Sequence, residues 1–403
     1  MAKKKDSEKR VNKILIINYE YPPLGGGGGV ATRDLAQEWA KSAQVDVLTS
    51  SFKGLPAHED VCGVGVYRAR IFFRTSRDVA TFFSMLSYVL TGFFLGIRLI
   101  RKNRYDIINT QFAVPSGPLG LVLSKIFGIK NVLSLHGGDI YDPSKKLSPH
   151  KSPFFRAAVN MVLQGADAIF AQSTNTRDNA LKYYSPKKDI NIIPLPFDPP
   201  RPGKISRKAL GMDKGKFVLV FIGRLIKRKD IPTAFRALAR VKSDNWRYYI
   251  IGDGPEKQAL EELSRELNIA EQIQFLGFVD ETTKYNYLSV SDCMLVTSLH
   301  EGFGIIFMEA MYFGKPIICT NNGGQVDFLK HKRNALLCDV GDDKSCAENI
   351  EQMMKNSKLR KSLSERNAAD ISRFFAPAVA AEYMSFFETL RRESGNDCSS
   401  DRR

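Results

Sequence analysis

The chain has 403 residues, too many for one ordinary hydrophobic core, so two domains of usual size are expected. Apolar residues at 43% and charged residues at 25% place it among globular proteins and exclude a disordered chain. The formal charge of +16 is uneven: residues 1–195 carry 27 Lys and Arg against 15 Asp and Glu, and residues 196–403 carry 32 against 28. A basic first half suggests a polyanionic neighbour, such as phosphorylated substrates, an anionic membrane or nucleic acid, with a plain solvated surface as the alternative. Six cysteines without a C-x-x-C pair and five histidines without metal spacing argue against a disulfide scaffold or structural zinc. They fit a reducing, cytoplasmic setting.

Residues 1–12 are basic with no apolar run behind them, and read as a disordered arm rather than a secretory signal. Short runs, apolar on both faces, follow at 13–18, 45–50, 105–110, 131–136, 167–173 and 190–195. Such runs are buried parallel strands, and the helical stretches between them predict a doubly wound α/β domain over 13–195. Five glycines, Gly25 to Gly29, follow the first run and precede a helix with apolar Val30, Leu35, Ala36 and Trp39. Amides there, with no Cβ in the way, could approach a phosphate or a sugar. The third glycine of G-x-G-x-x-G is missing, and a surface loop is the bland alternative.

The stretch VATFFSMLSYVLTGFFLGI, residues 79–97, holds no charge over 19 positions. Arg74 and Arg77 precede it; Arg98, Arg101, Lys102 and Arg104 follow. Its length meets the threshold for a spanning helix, yet it lies between strands of one domain, which a spanning helix would tear apart. Two readings stay open: a buried packing helix, or a helix lying along an anionic membrane surface through residues 74–104.

Proline density in PLPFDPPRPGKISRKALG, residues 194–211, forbids regular structure and marks the domain linker. A second strand series at 217–223, 247–252, 273–277, 293–298 and 316–320 predicts another doubly wound domain over 196–372. Open parallel sheets bind ligands beyond the carboxyl ends of their strands, so two such halves facing across a cleft could share one site. Residues 373–392 end in an amphipathic helix with Tyr383, Phe386 and Phe387, and 393–403 read as a disordered tail.

The segment HEGFGIIFMEAMYFGKPIICTNNGG, residues 300–324, carries the most chemistry. Glu301 precedes a predicted helix and Glu309 lies inside it. Gly302 and Gly304 would leave first-turn amides open at the helix end that favours negative charge. A nucleotide diphosphate could rest there while a carboxylate takes hydrogen bonds from ribose hydroxyls. Taken alone, the pair reads equally as two ordinary helix glutamates.

In the form E-G-F-G-x-x-x-x-E-A-M-x-x-G-K-P the segment resembles the E-x7-E signature of the retaining GT-B glycosyltransferases of family 4, also called glycosyltransferase group 1. In the expected order, GRLIKRKD (223–230) is similar to that family's G-R-L-x-x-x-K block and IGDGPEK (251–257) to its G-x-G-P turn. FLGFVD (275–280) precedes the last nucleotide-side helices as in the family, and LHGGDIY (135–141) resembles its N-terminal histidine loop. The resemblance spans about residues 13–392.

The resemblance implies an α/β GT-B fold: two Rossmann-like domains facing across a cleft, 13–195 for the acceptor and 196–372 for the nucleotide sugar, with helix 373–392 crossing back onto the first. Arg224 and Lys229 would hold the donor diphosphate and stabilise the charge that grows as the glycosidic bond breaks. Lys227 and Arg228 between them would be solvated. Glu309 would bind the ribose, Glu301 would face the donor sugar, and Gly302, Phe303, Gly304 and Ile305 would complete the donor-binding segment. His136 would sit near the donor sugar, with Asp139 as companion or as a local turn cap. Gly28 and Gly29 match a glycine pair beside the diphosphate and acceptor, where a side chain would intrude on the reacting groups. The departures are five glycines for two or three, Asp230 where glycine usually follows the lysine, and Asp327 where glutamate is usual.

No D-x-D triplet occurs, so no metal and no other cofactor is expected; Arg224, Lys229 and helix amides would replace the metal. The implied reaction moves a hexosyl unit from a UDP- or GDP-sugar to a glycan or lipid-linked acceptor, with retention. Its implied route is front-face attack, the leaving phosphate helping to take the acceptor's proton and no glycosyl-enzyme forming. The expected location is the cytoplasm, peripherally on a membrane. A nucleotide-sugar epimerase or a non-catalytic scaffold of the same fold is the alternative. A nicotinamide dehydrogenase would need G-x-G-x-x-G and an acidic residue about 20 positions on, and no nucleic-acid-binding module is recognisable. Oligomeric state is open.

Overall fold

The computed structural model describes residues 11–74, 81–143, 148–200, 203, 205–213 and 215–400, with backbone alone for 393–400. The arm expected at 1–12 lies outside the described residues up to residue 10. The chain divides into two compact units, Met1–Asp198 with Phe374–Arg403, and Pro199–Arg373.

The first unit runs β1 (Lys13–Ile17), α1 (Gly27–Ala40), β2 (Gln44–Ser50), β3 (His58–Val61), β4 (Val64–Ala69), α2 (Phe82–Asn103), β5 (Ile107–Gln111), α3 (Ser116–Phe127), β6 (Lys130–Leu135), α4 (Pro153–Gly165), β7 (Ala168–Ala171), α5 (Thr174–Tyr183) and β8 (Ile190–Ile192). Among the described residues eight strands form one sheet in the order β3-β4-β2-β1-β5-β6-β7-β8, parallel except for β3 against β4. Ile14, Leu15, Ile16 and Ile17 are all buried because helices cover both faces of this sheet. The strand order reverses direction between β1 and β5, so the loops after those strands part and leave a crevice at their carboxyl ends. The β3–β4 hairpin is an addition to the expected strands. Its two-residue turn is Cys62-Gly63, both with positive φ (53° and 81°).

Gly27, Gly28 and Gly29 form the first turn of α1 instead of a loop ahead of it, with no side-chain cap. Of the run 79–97, residues 79 and 80 lie outside the described residues, and the rest belongs to helix α2 and its cap, with one face buried and the opposite face exposed. Thr81 and Ser84 cap it reciprocally, with the Ser84 N–H on Thr81 Oγ1 at 3.2 Å and the Thr81 N–H on Ser84 Oγ at 2.9 Å. Its Tyr88, Gly92, Gly96, Leu99 and Ile100 stripe is buried, and the Tyr88 hydroxyl donates to the Leu48 carbonyl at 3.0 Å. The opposite stripe of Phe83, Leu86, Leu90 and Phe94 is exposed.

The second unit runs β9 (Phe217–Ile222), α6 (Ile231–Arg240), β10 (Trp246–Ile251), α7 (Lys257–Glu266), β11 (Ile273–Gly277), α8 (Glu281–Val290), β12 (Cys293–Val296), α9 (Ile305–Tyr312), β13 (Ile317–Thr320), β14 (Leu336–Cys338), α10 (Asp343–Lys355) and α11 (Ser357–Asp370). Its sheet is parallel in the order β11-β10-β9-β12-β13-β14, with the switch point between β9 and β12. The stretch 194–211 is not wholly irregular: Arg207–Leu210 form a 3-10 turn, its start capped by Ser206 Oγ accepting from the Ala209 N–H at 3.3 Å. The prolines end at Pro202, which leaves those residues free to turn.

The chain then returns to the first unit as α12 (Ala376–Ser400). The Trp39 indole N–H donates to the Ala380 carbonyl at 3.1 Å, and its ring lies 5.3 Å from Phe387 and 5.7 Å from Tyr383. The helix passes residue 392 and continues to Ser400, where a disordered tail was expected from 393. No proline follows Pro377 to stop it, and extending a formed helix costs far less than nucleating one. Phe387→Ala is expected to destabilise the first unit by about 3–5 kcal/mol. Urea unfolding followed by Trp39 fluorescence, in a Trp246→Phe background, measures this.

Candidate functional site

In the second unit, the loops after β9 and β12 leave the switch point and are tied together. The Leu299 N–H donates to the Arg228 carbonyl at 2.8 Å, and Thr297 Oγ1 donates to the Asp230 carbonyl at 2.7 Å. Between them Lys229 Nζ meets Glu301 Oε1 at 2.6 Å, with both residues buried. Ser298 Oγ donates to the same oxygen at 2.6 Å. Arg228, expected in solvent, donates to the His300 carbonyl at 2.8 Å and to Glu301 Oε2 at 3.3 Å. It is drawn in because the buried carboxylate has a second oxygen to satisfy. Burial by itself would raise the Glu301 carboxyl, but Lys229 and then Arg228 outweigh it and hold the group at about 2. Arg224 is exposed on the same loop, two residues after β9 ends. Asp230 has φ 42°, a left-handed conformation that explains why glycine suits this place, and its Oδ2 accepts from Thr233 Oγ1 at 2.7 Å.

Gly304, with φ 94°, turns the chain into α9, and a Cβ there would press on the Phe307 ring at 2.5 Å. Gly302 and Ile305 are partly exposed, and Phe303 is buried 4.9 Å from the Phe328 ring. Glu309 sits inside α9, buried. Its Oε1 accepts from Lys284 Nζ at 2.7 Å and from the Tyr285 hydroxyl at 3.3 Å. Its Oε2 is buried with no hydrogen-bond partner among the described residues. Burial pushes this carboxyl up, against the pull of Lys284.

In the first unit, the segments after β1, β5 and β6 meet. His136, just past β6, stacks on Phe112 at 4.1 Å. A Cβ on Gly28 would strike the Phe112 ring and lie 3.2 Å from His136 Nδ1, so this glycine lets helix α1 start against the imidazole. At Gly29 the obstacle is the chain itself, the carbonyls of Glu20 at 3.0 Å and Leu24 at 3.2 Å, and not a reacting group. Asp139 is a staple: it accepts the His136 N–H at 2.9 Å and the Ala113 N–H at 2.6 Å. His136 Nε2 lies 2.6 Å from Gln111 Oε1, and Gln172 Nε2 donates to the His136 carbonyl at 2.6 Å. Burial lowers the imidazole to about 3, which keeps it neutral at ordinary pH.

Residues 204–370 match glycosyl transferases group 1, and residues 25–201 match Glycosyltransferase Family 4. The chain belongs to the GT-B glycosyltransferases of family 4. N-acetyl-alpha-D-glucosaminyl L-malate synthase of Bacillus anthracis is similar to this glycosyltransferase, 25% identical over 384 residues, 93% of this chain and 97% of that one. Sucrose-phosphate synthase from Thermosynechococcus elongatus has the same fold at a TM-score of 0.82 and 19% identity, covering 94% of this chain and 99% of that one. So does Anabaena Alr3699/HepE, solved in complex with UDP-glucose, at 0.73 and 22%, covering 93% and 99%.

The structure thus joins Lys229 to Glu301 and Gly28 to His136, and gives Glu309 a separate partner in Lys284. Arg228, Lys284, Tyr285, Ser298 and Gln111, which the structure places against Glu301, Glu309 and His136, were not legible as their partners. Two carried a local signal: Arg228 lies inside the GRLIKRKD block, and Ser298 is a hydroxyl three residues before Glu301.

Glu301→Gln leaves Lys229 buried without a counter-charge and is expected to cost about 3–5 kcal/mol in denaturant unfolding at neutral pH. A carboxyl held below its ordinary 4.5 stabilises fully above 4.5 and loses that contribution as pH falls toward 2. The stability gap between wild type and Glu301→Gln therefore narrows over that window, as melting curves against pH would record.

Proposed function

We propose that this glycosyltransferase moves a hexosyl unit from a UDP- or GDP-sugar to an acceptor hydroxyl, with retention of anomeric configuration and without a metal. The observation that carries the donor reading is Glu309 Oε2, a buried carboxylate oxygen left open beside one that is doubly held. A ribose hydroxyl is the donor such an oxygen lacks. Lys229 and Arg228 give two cations to one carboxylate in the loop after β9, with Arg224 exposed on the same loop, a net positive setting for a diphosphate. The HepE complex with UDP-glucose supports the same donor class. Burial lowers His136 to about 3 and makes its imidazole a weak base, so the leaving phosphate takes the acceptor's proton in a front-face attack, and no glycosyl-enzyme is formed. Metal independence rests on the missing D-x-D and on these cations.

We further read the acceptor as membrane-associated, with the protein peripheral on the cytoplasmic face. Phe83, Leu86, Leu90 and Phe94 recur every three or four residues, so they share one stripe of α2. Phe73, 71% exposed, stands beside Phe83 with ring centroids 5.9 Å apart. Arg98, Arg101, Lys102 and Arg104 are exposed at the far end. An apolar stripe with clustered cations complements an anionic bilayer, each cation adding about 1 kcal/mol near such a surface.

Two measurements test these readings. In a thermal-shift panel of UDP, GDP and ADP sugars, one donor class is expected to raise the melting temperature, EDTA leaves turnover unchanged, and Glu309→Ala weakens donor binding roughly 10- to 100-fold. A panel with no shift sinks the donor reading. Vesicles with anionic phospholipid are expected to sediment the wild type, less so at high salt, and not the Phe83→Ser/Phe94→Ser variant. Equal sedimentation of both proteins sinks the membrane reading.

A further inference from the structure

A buried line of polar side chains in the first unit ends on His136. It runs from Tyr383 of α12 to Ser134 (3.2 Å between hydroxyls), then Asn109, Gln111 and the imidazole. Asn109, Gln111 and Ser134 are buried among the strands.

The direction of this line is set at one point. The Val132 carbonyl can only accept, so the Asn109 group 3.1 Å from it is the amide NH2. Asn109 Oδ1 therefore faces Gln111, and only the Gln111 NH2 can satisfy it. That turns Gln111 Oε1 toward His136, 2.6 Å from Nε2. An amide oxygen cannot donate, so Nε2 carries the proton and Nδ1 keeps a bare lone pair. Nδ1 is buried without a hydrogen-bond partner among the described residues, beside Gly28 at the start of α1 and the Phe112 ring.

We propose that Asn109 and Gln111 are positioning residues that lock His136 in the Nε2–H tautomer, so that Nδ1 accepts a hydrogen bond from a hydroxyl of the sugar substrate. The sugar as ligand rests on the function proposed above; the lock does not. A bare lone pair selects a group that can donate. It welcomes a sugar hydroxyl and repels an ionised phosphate oxygen. Tyr383 lies beyond the point that sets direction, so its hydroxyl adds packing order and not polarity.

The test is nitrogen NMR of the full chain labelled with 15N-histidine, with the His136 signals assigned by loss in His136→Asn. The expected wild-type pattern is protonated Nε2 and unprotonated Nδ1, unchanged in Tyr383→Phe. Gln111→Leu removes the acceptor, and a fraction of His136 is expected to move to the Nδ1–H form. With UDP-glucose added, the wild-type Nδ1 signal is expected to shift, while UDP alone leaves it in place. In the same Gln111→Leu protein kcat/KM for the sugar donor falls about tenfold and UDP affinity holds. Nδ1–H in the wild type, or an unaltered Nε2–H form in folded Gln111→Leu, overturns the lock. A UDP-glucose complex with an unmoved Nδ1 signal overturns the hydroxyl contact. Failure of every nucleotide sugar to bind would instead strike the proposed function, since the tautomer is read without ligand.

Discussion

Lys229 and Glu301 are both buried, and either charge alone in that interior would cost several kcal/mol. Held 2.6 Å apart they are tolerable, and the pair can form only if the loops after β9 and β12 run side by side. Those two loops leave the sheet at the place where strand order reverses, where nothing in a parallel sheet's own ladder would hold them. The ion pair, the Leu299–Arg228 backbone bond and the Ser298 hydroxyl do so instead. The Glu301 carbonyl extends the stitching by accepting the Gly324 N–H at 2.8 Å. Arg228 leaves this seam with an excess of positive charge.

The first unit solves a similar problem with hydrogen bonds, the Asp139 carboxylate among their acceptors. Its crevice at the ends of β1, β5 and β6 is lined by amides and an imidazole, tied by side chains that donate and accept in one sense. In both units a residue is fixed through one atom and keeps another open. Glu309 is held through Oε1 and His136 through Nε2, while Oε2 and Nδ1 remain buried and unpartnered among the described residues. Such atoms are expensive to keep, and a ligand that completes them is favoured over water by the enclosure around them.

Much of this was legible in the sequence. Strands buried on both faces announce themselves as unbroken apolar runs, and β1, β2 and β5 to β13 all fall within a few residues of them. The β3–β4 hairpin was hidden because Cys62 takes a turn position that usually advertises itself as Asn or Asp. Three-residue β14 is too short to show a period. The run at 79–97 concealed two faces because its buried side includes Gly92 and Gly96, which pack against Leu119 and Leu123, while its exposed side is the more hydrophobic. The motif residues themselves could be read, since they cluster in short blocks. Their partners could not: Lys284 lies 25 positions from Glu309, Gln111 lies 25 from His136, and Arg228 lies 73 from Glu301. Only the fold brings these together.

The return of α12 gives the first unit a broken itinerary. Trp39, Val45 and Phe170 share one core with Val379, Tyr383 and Phe387, yet the whole of Pro199–Arg373 is translated between the two sets. A nascent chain therefore holds apolar residues on its earlier half whose partners in α12 are made only after the second unit. The second unit, contiguous in sequence, is free to finish folding first, so the part made earliest is the part completed last.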